Sequence, residues 1–132
     1  MKDYIPKTED EWKNRLDSKQ YHIMRKRGTE SAFSGKYLNN KEKGIYACAA
    51  CKAILFSSDT KFDSGTGWPS FTNPENTKAV ILKDDFNHGM TRTEVICKNC
   101  KSHLGHVFTD GPKGKKRFCI NSACLSFKKK EK

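Results

Sequence analysis

Six cysteines and four histidines stand among the 132 residues, and their spacing is the first guide to chemistry. Four of the cysteines make two C-x-x-C pairs, Cys48-Ala49-Ala50-Cys51 and Cys97-Lys98-Asn99-Cys100. Each pair falls at a predicted strand end, where a tight knuckle aims two thiolates at one metal. Two such knuckles form the tetrahedral four-cysteine site that zinc prefers. Thiolates then fill every position and leave none for water or substrate, so one zinc per chain is expected, structural and not catalytic. The pairs are separated by 45 residues. A compact zinc ribbon needs only about 15–20, so the intervening segment must form structure of its own and the metal joins two distant hairpins. An iron site or a redox-active C-x-x-C is the competing reading, although neither pair has the βαβ context of a thioredoxin-like motif.

Cys119 and Cys124 remain. In Arg117-Phe118-Cys119-Ile120-Asn121, strand alternation sets Arg117, Cys119 and Asn121 on one face and Phe118 and Ile120 on the other. The apolar pair can enter the core while the thiol faces a site. A guanidinium two residues away, with Lys115 and Lys116 upstream, favours the thiolate and makes Cys119 a candidate nucleophile. A small buried hydrophobe is the equally open alternative. His103-Leu104-Gly105-His106-Val107-Phe108 supplies two histidines that could be acid/base groups, spare metal ligands or ordinary strand residues. Their odd separation sets them on opposite faces of a regular strand, so joint use requires a bend or bulge, which Gly105 permits. In Ser64-Gly65-Thr66-Gly67-Trp68-Pro69-Ser70-Phe71, two glycines and a proline fix a tight loop around Trp68, whose ring could wall an apolar pocket or plug the core.

The elements that must position these groups are short. Thr8-Glu9-Asp10-Glu11 has the form of a capping box, followed by Trp12 and Leu16 one helical turn apart. A second helix is predicted from Ser18 to Arg27, its cationic end suiting the negative pole of the helix dipole and Gly28 serving as the residue after its C-cap. Residues 29–43 read as an irregular arm pinned by Phe33 and Tyr37. From Gly44 onward, runs rich in β-branched and aromatic residues alternate with turn formers: Ile45–Cys48, Ala53–Phe56, Ala79–Lys83, Thr91–Cys97, His103–Phe108 and Arg117–Asn121. This spacing indicates antiparallel β structure.

Hydrophobic residues make up 35% of the chain, so one domain over residues 1–132 with a small, reinforced core is expected. No apolar stretch approaches the roughly 18–20 residues of a membrane-spanning helix. The start, Met1 to Lys7, has no secretory h-region, so the cytoplasm is the expected location, where six cysteines read first as ligands or reactive thiols. The net charge of +11 divides as +4 over residues 1–43, −1 over 44–96 and +8 over 97–132. Residues 128–132 account for much of the last figure and are expected to form a solvated, disordered basic tail.

Together, the two C-x-x-C pairs, the Gly-Thr-Gly-Trp-Pro-Ser-Phe loop, His-Leu-Gly-His-Val-Phe and Arg-Phe-Cys-Ile-Asn-Ser resemble the B-type methionine sulfoxide reductases, specific for the R epimer. The resemblance runs from the region of Trp12 to Phe127. It implies a mainly β fold of two antiparallel sheets with short N-terminal helices, and a structural zinc away from the active site. It implies Cys119 as the catalytic cysteine, Trp68 as the methyl-binding indole, and His103, His106 and Asn121 as polar partners with Arg117 nearby. Attack of Cys119 on the sulfoxide sulfur would leave methionine and a sulfenic acid, reduced in turn by thioredoxin or another thiol. Many members of the family carry a resolving cysteine where this chain has Thr66. Cys124 is then the spare thiol. On a continued strand it would lie about 16 Å from Cys119 on the other face, so only a sharp turn in Asn121-Ser122-Ala123 would make it a resolver.

The partners implied are oxidised proteins or peptides bearing methionine-R-sulfoxide and a thiol reductant, with no membrane, and the chain is expected to act as a monomer. The alternative is a zinc-stapled β domain that binds nucleic acid or a protein partner. Nucleic-acid binding calls for basic and aromatic residues interleaved on a sheet face, whereas the middle third is slightly acidic and the tail has no aromatic after Phe127.

Overall fold

The helix expected after Thr8 forms as α1, Glu9–Arg15, in the computed structural model, which describes residues 6–76, 78–86 and 91–130. Thr8 Oγ1 accepts the Glu11 N–H at 3.2 Å, but the Glu11 carboxylate takes the N–H of Lys7 instead of Thr8, so only half of the expected box closes. A complete box starts α2, Ser18–Lys26, where Asp17 and Gln20 bond reciprocally. Trp12 and Leu16 turn inward with Ile23 and Met24 of α2. The end of α2 departs from expectation. Arg27, not Gly28, takes the left-handed conformation at φ 60° and ψ 38°. Gly28 is needed for space, because a Cβ there would collide with the His22 ring. In the arm that follows, Tyr37 is the anchor: its ring meets Tyr46 edge-on at 5.7 Å and its hydroxyl accepts the Phe127 N–H. Phe33 does not pin the arm as expected. Its backbone N–H bonds to Gly67 O while its ring is 70% exposed.

The strands form two antiparallel sheets. The first has three strands, with β1 (Gly44–Cys48) between β2 (Ile54–Ser57) and the C-terminal β9 (Leu125–Lys129). The second has six, in the order β3 (Lys61–Phe62), β4 (Ser70–Phe71), β8 (Arg117–Ile120), β7 (His103–Phe108), β6 (Arg92–Cys97) and β5 (Val80–Asp85). β3 and β4 have two residues each, too few to carry a periodic signal. β9 corrects the expected tail. Lys129 pairs with Gly44 and Lys128 with Ile45, so part of the basic run is an edge strand, where lysine suits an unpaired edge. Residues 131–132 of the expected tail lie outside the described residues.

An aromatic cluster fills the space between the sheets. Phe56 stacks on Phe71 at 4.4 Å, Tyr46 meets Phe71 at 5.2 Å and Phe127 at 4.8 Å, and Phe118 stands 6.0 Å from Phe56. Tyr46, Phe56 and Phe127 come from the smaller sheet, Phe71 and Phe118 from the larger. Phe71 is fully buried at their centre. Phe71→Ala is expected to cost about 3–5 kcal/mol in chemical denaturation at matched metal content, through the cavity left between the two sheets.

Candidate active site

β1 and β6 each end on the first cysteine of a C-x-x-C pair. The two knuckles turn alike. The Lys52 N–H bonds to Cys48 O and the Lys101 N–H to Cys97 O, with Lys52 and Lys101 both left-handed at φ 70° and 66°. All four Sγ atoms lie within 4.8 Å of one another, and Cys48–Cys100 and Cys51–Cys97 are each 3.7 Å apart. Sulfurs placed tetrahedrally about 2.3 Å from a centre are about 3.8 Å apart, so the donor set fits a four-coordinate metal. Hydrogen bonding with Cys100 pushes Cys48 and Cys97 up and Cys51 down, and the bond with Cys48 draws Cys100 down to about 7. The helices rest on the cluster: Arg15 donates to Ala50 O at 2.7 Å, and Arg25 covers the Trp12 ring at 3.9 Å while reaching Ser102 Oγ at 3.1 Å.

Cys119 lies elsewhere, in a cleft of about 270 Å³. On β8, Phe118 and Ile120 are buried in the core, while Arg117 and Cys119 line the cleft with Asn121 just beyond the strand. Gly105 on β7 lets the strands close, because a Cβ there would collide with the Cys119 carbonyl. The Trp68 loop forms the opposite wall, with Thr66 Oγ1 3.8 Å from Cys119 Sγ. A row of hydroxyls continues behind it, Thr66 to Ser64 at 2.8 Å and Ser64 to Ser70 at 2.8 Å, and Ser70 donates to Trp68 O at 3.1 Å. The expected thiolate does not result. Burial pushes the Cys119 thiol up, against the weaker downward pull of the Thr66 hydroxyl and the Arg117 charge. Arg117 is itself engaged by Asp110 at 2.9 and 3.3 Å and lies over the Phe108 ring at 4.3 Å, while Lys115 and Lys116 are exposed.

The arm holds this cleft together through Glu30, which is 3% exposed. Its carboxylate accepts the N–H groups of Ser122 and Ala123 at 2.8 and 3.1 Å. Its carbonyl accepts the Trp68 indole N–H at 3.0 Å, and its own N–H donates to Asn121 Oδ1 at 3.0 Å. The Asn121 amide also donates to Leu104 O at 3.0 Å, so its oxygen and one of its hydrogens are committed to the scaffold.

The histidines separate in role. A bulge in β7, where Val95 faces Gly105 and Ile96 faces His103, removes the odd-separation problem and brings the rings to 5.4 Å. His106 lines the cleft and pairs across the sheet with Cys119. His103 does not reach the lining: it is 3% exposed, and burial pushes its pKa down against the Glu94 carboxylate 2.7 Å from Nδ1. Cys124 is fully buried, with its S–H donated to His103 O at 3.3 Å. The sharp turn that would recruit it does exist, over Ser122–Cys124, but it directs the thiol inward. Thr29, Arg92 and Phe108 also line the cleft and were not read from the sequence. Neither were Asp85 and Glu94, buried acids behind the histidines, although an isolated glutamate within Thr93-Glu94-Val95-Ile96 is a usable signal. A larger groove of about 850 Å³, over the outer face of the three-stranded sheet beside Lys43, Ile54 and Lys128, is lined by no cysteine, histidine or aromatic residue among the described residues.

With this geometry in view, comparison with known proteins is specific. The SelR domain profile matches residues 16–129. A protein of Methanosarcina barkeri is 56% identical over 128 residues, spanning 96% of this chain and 90% of its own length. One from Acinetobacter baylyi is 54% identical over 129 residues, covering 97% and 93%, and one from Leptospira interrogans is 52% identical over 126, covering 95% and 96%. Each of the three is named peptide methionine sulfoxide reductase MsrB. The chain belongs to the SelR domain family, that of the B-type methionine sulfoxide reductases.

Proposed function

We propose that this chain, working as one cytoplasmic domain with a single structural zinc on Cys48, Cys51, Cys97 and Cys100, reduces the R epimer of methionine sulfoxide in oxidised peptides and proteins. The observation that carries this reading is Cys119 lying between the Trp68 loop and His106 in one cleft. The thiol attacks the sulfoxide sulfur, and oxide leaves that sulfur only as it gains a proton. Since burial holds Cys119 as a thiol, its own proton is the natural one to use, and His106 is beside it to carry that proton to the oxygen. The adduct collapses to methionine and a Cys119 sulfenic acid: oxygen moves from substrate to cysteine, the substrate sulfur is reduced by two electrons and the cysteine sulfur oxidised by two. Trp68 encloses the S-methyl group while polar groups hold the oxygen, and these fixed points at a chiral sulfur select the epimer. The Trp68 N–H is spent on Glu30, so the indole contributes its apolar face.

The sulfenic acid is returned to thiol by an external reductant, thioredoxin by family resemblance. The burial of Cys124 and its bond to His103 O support this route over an internal disulfide. The basic surface does not favour the nucleic-acid reading, since the lysine-bordered groove offers no aromatic platform.

Four outcomes test the reading. Cys119→Ser should abolish turnover of methionine-R-sulfoxide peptides with dithiothreitol while metal content and thermal midpoint stay unchanged; retained turnover would remove Cys119 as the nucleophile. Cys48→Ser or Cys97→Ser should lose the metal and unfold at lower temperature, and elemental analysis of the wild type should give one zinc per chain. Without reductant, one turnover should leave a trappable sulfenic acid on Cys119 and no Cys119–Cys124 disulfide by mass spectrometry. Thr66→Cys should convert that end state into a disulfide from the loop to Cys119, given the 3.8 Å between Thr66 Oγ1 and Cys119 Sγ.

A further inference from the structure

The charged side chains behind the cleft share one cation. A single guanidinium nitrogen, Arg27 Nη2, lies 3.3 Å from Asp85 Oδ1 and 3.0 Å from Glu94 Oε1. The other oxygen of each carboxylate holds a histidine. Asp85 Oδ2 meets His106 Nε2 at 2.8 Å, and Glu94 Oε2 meets His103 Nδ1 at 2.7 Å. Both carboxylates are only 4% exposed, and Arg92 adds a contact of 3.6 Å to Asp85 Oδ2. Two anions this deep in a protein require paired cations, and Arg27 serves both from the end of α2. Its left-handed backbone, in a position that sequence assigned to Gly28, is held where the guanidinium reaches both acids.

The hydrogen positions follow from donor and acceptor chemistry. A carboxylate paired with arginine through one oxygen is ionised and accepts at both, so each imidazole must present N–H to the other oxygen. His106 then carries its hydrogen on Nε2 and His103 on Nδ1. The two rings are held in opposite tautomers. For His106, the ring lining the cleft, Nδ1 is the nitrogen left to take up and return a proton. We infer that Arg27, Asp85 and Glu94 form a clamp that fixes these tautomers, so that Arg27 is a positioning residue for proton delivery from His106 Nδ1.

This inference rests on the sulfoxide-reductase reading. The Cys119 S–H proton passes to His106 Nδ1 and from there to the sulfoxide oxygen, while the Asp85 carboxylate balances the transient imidazolium. The charged and titratable groups around His106 are Asp85 on β5, Arg92 and Glu94 on β6, His103 on β7, Arg117 and Cys119 on β8, and Arg27 at the end of α2.

The test combines histidine nitrogen-15 NMR with steady-state kinetics on wild type, Arg27→Gln and Arg27→Lys, each checked for zinc content and thermal midpoint. In the wild type at neutral pH, the spectra should assign the hydrogen to Nε2 of His106 and to Nδ1 of His103. The same tautomer on both rings overturns the clamp with no variant needed. Arg27→Gln should mix the His106 tautomers, displace the pH profile of kcat and lower kcat about tenfold with KM held within about twofold, part of the 10²–10⁴ that a positioned acid/base contributes. Because one nitrogen makes both contacts, the ammonium of Arg27→Lys should restore most of kcat. Unchanged tautomers and kcat in Arg27→Gln, or no rescue by Arg27→Lys, overturn the clamp while wild-type turnover upholds the reductase reading. A wild type that does not reduce methionine-R-sulfoxide overturns that reading and the clamp's catalytic role with it.

Discussion

The four-sulfur cluster is the constraint on which the remaining structure depends. Cys48 closes a strand of the three-stranded sheet and Cys97 a strand of the six-stranded sheet, so any ion held by all four sulfurs ties the sheets at one point. The aromatic cluster fills the gap that this tie defines. With 35% hydrophobic residues the core alone is small, and a metal that binds only the folded arrangement adds its binding free energy to folding. The helices follow the knuckles: Arg15 and Arg25 donate to their carbonyl and hydroxyl groups, and α2 thereby ends where Arg27 reaches the acids behind the cleft.

Glu30 transmits that frame to the chemistry. Its backbone N–H and carbonyl hold Asn121 and Trp68, and its carboxylate satisfies two amides of the turn that passes the chain from the larger sheet to the smaller. Loss of the carboxylate would leave the Ser122 and Ala123 N–H groups without that partner, at about 1–3 kcal/mol for each buried donor left unsatisfied. The indole wall of the cleft and the chain just beyond Cys119 are thus fixed by one residue of an otherwise irregular arm.

What could be read from sequence was whatever carries its pattern locally. Period-two alternation marked β8 and the faces of Arg117, Cys119 and Asn121, and the C-x-x-C spacing marked the knuckles. The bulge needed to bring His103 and His106 together was foreseeable from their odd spacing. Long-range partners had no such signal. Thr29-Glu30-Ser31 reads as an ordinary polar loop, and nothing in it announces a carboxylate aimed at residues 122 and 123. The lysines of β9 masked a strand because composition there reflects edge protection and not burial. The thiolate expected at Cys119 failed because neighbours in sequence revealed Arg117 but not Asp110 closing on it, nor the depth of the thiol.

The loop position occupied by Thr66 bears on both halves of the proposed cycle. Ser70 has one hydroxyl hydrogen and gives it to Trp68 O, so its oxygen must accept from Ser64. Ser64 then accepts from Thr66, and Thr66 Oγ1 is left as an acceptor for the Cys119 S–H. In that polarity Thr66 accepts the S–H, and burial is what pushes the thiol up; turned to donate to the sulfur, the same hydroxyl draws it down. Once the proton leaves, the hydroxyls can rotate so that Thr66 donates to the thiolate, at the expense of the Ser70 bond to Trp68 O. A cysteine at position 66 would be a weaker acceptor and a weaker link to Ser64. In the proposed cycle the residue that bonds the Cys119 sulfur is thus also the one that withholds a loop thiol from its oxidised form, so the hydroxyl row and the dependence on an outside reductant would share one position.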